Sequence, residues 1–400
     1  MLICIAGKND IAVNVLEYLL KYYKENEIAC ILNKTETGKN SWQKSLEWYC
    51  KKNKIKILSL NDIYSIKDMV FLSLEFDQIV KPEMFLSKKL YNIHFSLLPK
   101  YKGMYTSIWP VYNGETETGV TLHFIDKGID TGDIIDQEKF SINENDTSYD
   151  VYKKYIEVGT SLIIRNVNDI IEDNVRVWKK QSISLSTYYS KNSINFDNIV
   201  LDCNKTAWQI KRQVKAFCFR PYQLIKFKNN CIINVEILKE KSSVKAGAVI
   251  EEGKSYFKVA TIDYNVILYK DEFENLLSCI QEFDNEEVKR ILKVKNYINE
   301  RNKRGWSALM VATYNNNKEI FYLLLKYGAN IYEKNWNGTN LLMYAKDCYV
   351  KTLDSELFEY LYDLGLSIYE KDFNGKSLVD YCYEETIKNI GRINIFNLRR

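Results

Sequence analysis

The 400-residue sequence predicts an α/β protein in three parts: a parallel-sheet domain over 1–185, a small antiparallel β domain over 186–271 and an all-α repeat domain over 272–400. Three observations carry this division. Short unbroken apolar runs alternate with helically spaced stretches through the first hundred residues, as in strands covered on both faces. Five short strand-like runs separated by turn residues fill 224–269. Beyond Glu272 one pattern recurs with a period close to 33 residues.

Leu2 to Ala6 is an apolar run closed by Gly7, and Ala12, Val15, Leu16, Leu19 and Leu20 follow at helical spacing. This strand–glycine–helix opening makes the first part Rossmann-like. The further glycines of a dinucleotide fingerprint are missing, so the unit is of mononucleotide type. Lys8 and Asn9 stand where a helix N-terminus offers free amides, and read equally as a phosphate contact or a tight turn. Ile28–Leu32, a helix around Trp42 to Cys50, Lys54–Leu58 and Met69–Leu74 continue the alternation. Right-handed crossovers then give a parallel sheet whose ligands bind beyond the carboxyl ends of the strands. Ser73 to Asp77 and Asn92 to His94 therefore face one crevice. Glu117 to Asp126 reads as a strand leading into the loop of Asp130, with His123 as a packing or supporting residue. Ser148 to Ile171 is a long amphipathic helix. Ala207 to Phe217 is a shorter one, followed by strands at 224–227, 231–238, 246–251, 256–261 and 265–269.

In the last part, Asn302-Lys-Arg304-Gly305-Trp306 recurs at Asn335-Trp336-Asn-Gly338 and at Asp372-Phe-Asn-Gly375, the glycines 33 and 37 residues apart. Leu323 to Gly328 is echoed by Tyr360 to Gly365. The pattern resembles ankyrin repeats, with Val288 to Asn302 closing an N-terminal capping unit. Equivalent positions of stacked repeats lie side by side, and the finger positions face solvent. Arg304, Trp306 and Trp336 then form an aromatic face beside a cation. That suits a second, non-catalytic nucleotide site that regulates the chain, or a partner-protein contact. A stabilising or dimer-supporting module is the alternative.

Charge and cysteine usage narrow the class. Fifty-six Lys and Arg against 52 Asp and Glu leave +4 over a large surface, which argues against a nucleic-acid partner. No run is long enough for a membrane span. Nine scattered cysteines without C-x-x-C spacing imply neither a disulfide framework nor a metal site, and read as the reduced thiols of a cytoplasmic protein.

The chemistry lies at Asn92-Ile-His94-Phe-Ser-Leu-Leu-Pro99. Residues i and i+2 of a strand share a face, so a carboxamide and an imidazole project together from one strand end. An amide N–H suits a developing oxyanion, and an imidazole exchanges protons near neutral pH. Together with Gly119-Val-Thr-Leu-His123 and Ile129-Asp130-Thr-Gly-Asp133, the stretch resembles the formyltransferases that use N10-formyltetrahydrofolate. Trp42-Gln-Lys-Ser45, Ser73-Leu-Glu-Phe-Asp77 and Gly103-Met-Tyr-Thr-Ser-Ile-Trp-Pro110 narrow the likeness to the sugar N-formyltransferases, over roughly 1–270. The resemblance implies Asn92, His94 and Asp130 as catalytic residues, with no metal. It implies folate contacts at Phe76, Asp77, Ile79, Val80, Asp126 and Ile129. It also implies sugar-nucleotide contacts at Lys8, Asn9, Lys102, Met104 and Tyr105, with Arg220 on the diphosphate and Tyr222 on the base. The implied acceptor is a dTDP-3-amino-3,6-dideoxyhexose for O-antigen lipopolysaccharide, and the implied assembly is a homodimer. A dTDP-4-amino sugar, methionyl-tRNA, or a non-enzymatic ankyrin scaffold are the competing readings.

Overall fold

A computed structural model describes residues 1–293 and 297–387, in two compact units, 1–270 and 271–400. Residues 294–296, within the expected capping unit, and 388–400, the end of the expected repeat segment, lie outside the described residues.

In the first unit the chain runs β1 (Leu2–Gly7), α1 (Asn9–Leu19), β2 (Ile28–Leu32), α2 (Leu46–Lys52), β3 (Lys56–Ile57), α3 (Leu60–Ile63), β4 (Met69–Leu74) and β5 (Lys89–His94). It continues through β6 (Lys102–Gly103), α4 (Ile108–Asn113), β7 (Glu117–Phe124), β8 (Ile134–Ser141), α5 (Ser148–Glu172) and β9 (Tyr188–Tyr189). Seven strands form one sheet in the order β3-β2-β1-β4-β5-β7-β8. The first five are parallel, as expected, but β7 runs antiparallel to β5, and β8 antiparallel to β7. A short connection suffices to turn β7 back onto β8, whereas a parallel continuation would need a crossover.

Alternate residues of the central strands go to opposite faces. Ile3 and Ile5 of β1 and Val70 and Leu72 of β4 join the core under α1 and α5. Cys4, Ala6, Met69 and Phe71 meet Ile63, Phe85 and Leu90 on the other side. Continuous apolar runs are therefore required, and the sequence supplies them. At the end of β1, Gly7 pairs with Leu74, and a Cβ on Gly7 would sit 1.9 Å from the Leu74 carbonyl oxygen. Helix α5 starts on a reciprocal cap between Thr147 and Asp150 and buries one stripe, including Val151, Tyr155, Leu162, Ile163 and Ile170. Its side chains also reach out along the sheet. The Tyr152 hydroxyl bonds Glu75, that of Tyr155 bonds Thr118, and Arg165 and Asn166 hold Asp136.

After α6 (Ala207–Phe217) come β10 (Ile225–Phe227), β11 (Asn230–Lys241), β12 (Val249–Glu252), β13 (Tyr256–Val259) and β14 (Tyr264–Lys270). They form an antiparallel sheet in the order β10-β11-β14-β13-β12, which closes over α6 through Ile210, Val214, Phe257 and Leu268. The second unit is helical: α7 (Phe273–Glu282), α8 (Asn285–Leu292), α9 (Ala308–Tyr314), α10 (Lys318–Lys326), α11 (Leu341–Thr352), α12 (Glu356–Asp363) and α13 (Leu378–Ile387). Gly305, Gly338 and Gly375 hold φ values of 80°, 80° and 78°, the left-handed turn that each recurring motif needs. Among the described residues, no helix is long and apolar enough to cross a membrane.

Candidate active site

Side chains converge beyond the carboxyl ends of β1, β4 and β5. Five residues other than glycine there hold left-handed backbone: Asn9 (φ 64°), Glu75 (57°), Tyr101 (59°), Tyr105 (61°) and Asp130 (55°). Such conformations cost free energy and collect where side chains must be aimed.

Asp130 is the hub. Its Oδ1 lies 3.4 Å from Asn92 Nδ2 and 3.4 Å from His94 Nδ1, while its Oδ2 accepts the Gly103 amide at 2.9 Å. Gln181 Nε2 donates to the Asp130 and Gly132 carbonyls and so fixes the loop. His94 is 8% exposed, and its Nε2 lies 2.8 Å from the Tyr101 carbonyl. A carbonyl only accepts, so Nε2 carries a hydrogen and Nδ1 is the nitrogen that faces Asp130. Any bond across that gap needs one proton shared between the two groups. The arrangement can stabilise an oxygen that gains charge and take a proton beside it.

Around this hub the other expected residues take different positions. Phe76 packs edge-on against Phe71, and Asp77 holds the Lys34 amide. Ile79 and Ile129 are 75% and 45% exposed, with Val80 half-buried. Asp126 spends its Oδ1 within its own loop, on the Gly128 amide and the Thr131 hydroxyl. Lys102 is buried, on the short strand β6 that pairs with β9. Met104 is exposed, while the Tyr105 ring lies against Phe196. At the helix N-terminus the Lys8 amide is spent on the Leu74 carbonyl and the Asp10 amide on Gln43 Oε1, so these two amides are not free for a phosphate. Trp42 falls before α2, not within a helix, and packs on Tyr149, Tyr152, Phe219 and Tyr222. Tyr222 is still 63% exposed; Arg220, beside it, is half-buried.

Two residues outside the expected set stand in the crevice. Glu75 accepts both the Tyr152 hydroxyl and Asn9 Nδ2, and burial lifts its pKa to about 7 against the opposing effect of those donors and of Lys8. Burial and this carboxyl together push the Tyr152 phenol well up. His123 lies opposite Asn92 across β5 and β7, with Nε2 at 3.0 Å from Asn92 Nδ2. Both histidines of the chain thus lie within 4 Å of Asp130.

In the repeat unit, Arg304 is exposed, and Trp306 packs its ring on Tyr314 and Tyr344. Trp336 closes over Gly305 and carries the Arg301 guanidinium 5.0 Å from its ring. The cation on that indole is therefore Arg301 and not Arg304.

The formyl transferase family model matches residues 71–167, and the model for three ankyrin repeats matches 276–372. A methionyl-tRNA formyltransferase of Clostridioides difficile is 32% identical over 219 residues, 53% of this chain and 69% of that protein. The chain belongs to the formyl transferase family. As solved structures go, this formyl transferase is 46% identical to WlaRD, a sugar 3N-formyl transferase crystallised with dTDP and 5-N-formyl-THF. That match covers 68% of this chain and 97% of WlaRD, at a TM-score of 0.63. It is 45% identical to the N-formyltransferase of Helicobacter canadensis in complex with folinic acid and dTDP-3-aminofucose, over 68% of this chain and all of the other, again at 0.63. In this formyl transferase, then, the enzymatic likeness and the repeats occupy separate stretches.

Proposed function

We propose that the enzyme transfers the formyl group of N10-formyltetrahydrofolate to the amine of a dTDP-3-amino-3,6-dideoxyhexose. The observation that carries this is the Asn92–His94–Asp130 cluster at the strand ends, within a chain 45–46% identical to two enzymes whose structures hold a dTDP nucleotide and a formylfolate. The donor supplies an electrophilic formyl carbon. Ile79 and Ile129, exposed on the two loops expected to hold it, offer the apolar cover that a flat ring system requires. Asn92 Nδ2 donates to the formyl oxygen as it gains charge; His94 with Asp130 takes the proton that the attacking amine must lose and returns it to N10 of the folate as the C–N10 bond breaks, so that tetrahydrofolate leaves. Tyr222 stacks on the base, with Arg220 near the diphosphate and Lys8 and Met104 along the sugar.

Within this reading the enzyme is a cytoplasmic homodimer that feeds O-antigen assembly. Its repeat unit is a second, regulatory nucleotide contact around Trp306 and Trp336. A formylation assay with dTDP-3-amino and dTDP-4-amino sugars is the test: turnover of the 3-amino series alone is expected, and a preference for the 4-amino series would overturn the assignment. The match to methionyl-tRNA formyltransferases keeps one other acceptor in the same assay, charged methionyl-tRNA, which should stay unmodified. Binding of dTDP to the full chain that saturates at one site per protomer, unchanged by Trp306→Ala, would remove the regulatory contact.

A further inference from the structure

Asn92 and His123 are direct partners in the antiparallel pairing of β5 with β7, which brings their Cβ atoms to about 5 Å. His123 is 3% exposed, with Nδ1 2.8 Å from the Phe124 carbonyl and Nε2 3.0 Å from Asn92 Nδ2. The carbonyl can only accept, so Nδ1 bears a hydrogen; in a neutral ring Nε2 is then a bare acceptor. Burial keeps the ring neutral, pushing its pKa down to about 4 against the pull of Asp130. A bare acceptor demands the nitrogen end of the Asn92 amide. One Nδ2 hydrogen is spent on His123, and the other spans 3.4 Å to Asp130, a long contact easily exchanged for a better acceptor.

We infer that His123 is a positioning residue for formyl transfer, fixing the Asn92 amide so that an N–H and not its oxygen meets the reacting formyl group. The inference rests on the proposed role of Asn92 as a donor to the developing oxyanion. Without the acceptor at His123, only the long contact to Asp130 still favours the nitrogen end, and the amide turns over more readily to present its own oxygen to that charge.

The chain has two histidines, so [15N]histidine labelling of the His94→Asn protein leaves His123 alone in the imidazole spectrum. The Nδ1-protonated neutral tautomer is expected at pH 7; an Nε2-protonated ring or an imidazolium overturns the inference. In the otherwise native enzyme, His123→Leu should lower kcat by about 10- to 100-fold, at or below the low end of the effect of deleting an oxyanion donor. KM for the sugar nucleotide should stay within about twofold. His123→Gln, whose Oε1 can accept from Asn92, should recover most of the loss. A folded His123→Leu enzyme with native kcat, or a Gln variant no better than Leu, overturns the inference; if the Leu variant does not fold, the tautomer decides. Asn92→Ala separates the two levels. Unchanged kcat there sinks the role of Asn92 itself, whereas a collapse there without one in His123→Leu sinks only the positioning.

Discussion

Glu75 offers the sharpest test of the crevice. Its carboxyl titrates near 7 in the fold against an ordinary value of 4.5, because burial disfavours the anion more than Tyr152, Asn9 and Lys8 favour it. The folded state therefore holds more protons than the unfolded chain between those two values, so stability falls as pH rises through the window and stays lower above 7. The full difference corresponds to about 3 kcal/mol. Water reaching the half-buried site screens part of it, leaving roughly 1–2 kcal/mol. Glu75→Gln removes the charge, keeps the shape and keeps an acceptor for the Tyr152 hydroxyl. At pH 5, where about a quarter of the difference has developed, the variant should melt within about 2 °C of the native protein. At pH 8 it should melt higher by roughly 2–8 °C, from about 2–4 °C per kcal/mol for a domain of this size. Paired thermal scans across pH 5–8 measure this. A gap that does not change with pH, or a variant less stable at pH 8, would mean that Glu75 is an ordinary ionised carboxylate and the reasoning is wrong.

Replacing His94 or Asp130 by Asn should reduce kcat by roughly 10²–10⁴-fold with little change in sugar-nucleotide affinity, read by steady-state kinetics and calorimetry. Tyr222→Ala should cost about 1–3 kcal/mol of nucleotide binding, the range for base stacking on an aromatic face, seen as a rise in KM larger than the fall in kcat. Gly7→Ala should destabilise the first unit by roughly 3 kcal/mol or more, at the upper end of single substitutions. Its Cβ would strike the Leu74 carbonyl, backbone against backbone, and a urea melt would show the loss.

Much of this was legible in the sequence where one segment suffices. The unbroken runs at Leu2–Ala6 and Met69–Leu74 identify central strands, because a strand covered on both faces has no polar side to show. The Asn92-x-His94 spacing places two side chains on one strand end by geometry alone. What escaped reading depends on pairing between distant segments. His123 sits in an alternating strand pattern, and only the β5–β7 register puts it opposite Asn92. The protonation of Glu75 is set by its burial, against the opposing donors Tyr152, 77 residues on, and Asn9, 66 residues back, which only the fold brings together. The reversal of β7 against the parallel strands was missed because Glu117–Asp126 carries no mark of direction.

The 25-residue helix α5 has a consequence for which acceptors the enzyme can tolerate. Tyr152 near its start grips Glu75, in the aromatic neighbourhood of Tyr222. Tyr155 grips the strand leading to Asp130, and Asn166 fixes β8, all spaced along one rod of roughly 21 Å between residues 152 and 166. In the proposed reading the seat of the base and the seat of the amine are thus both indexed to a single stiff element, and α5 works as a ruler. An acceptor one phosphate shorter would hold its base or deliver its amine, but not both at once. Such a compound should bind as a dead-end competitor and turn over poorly.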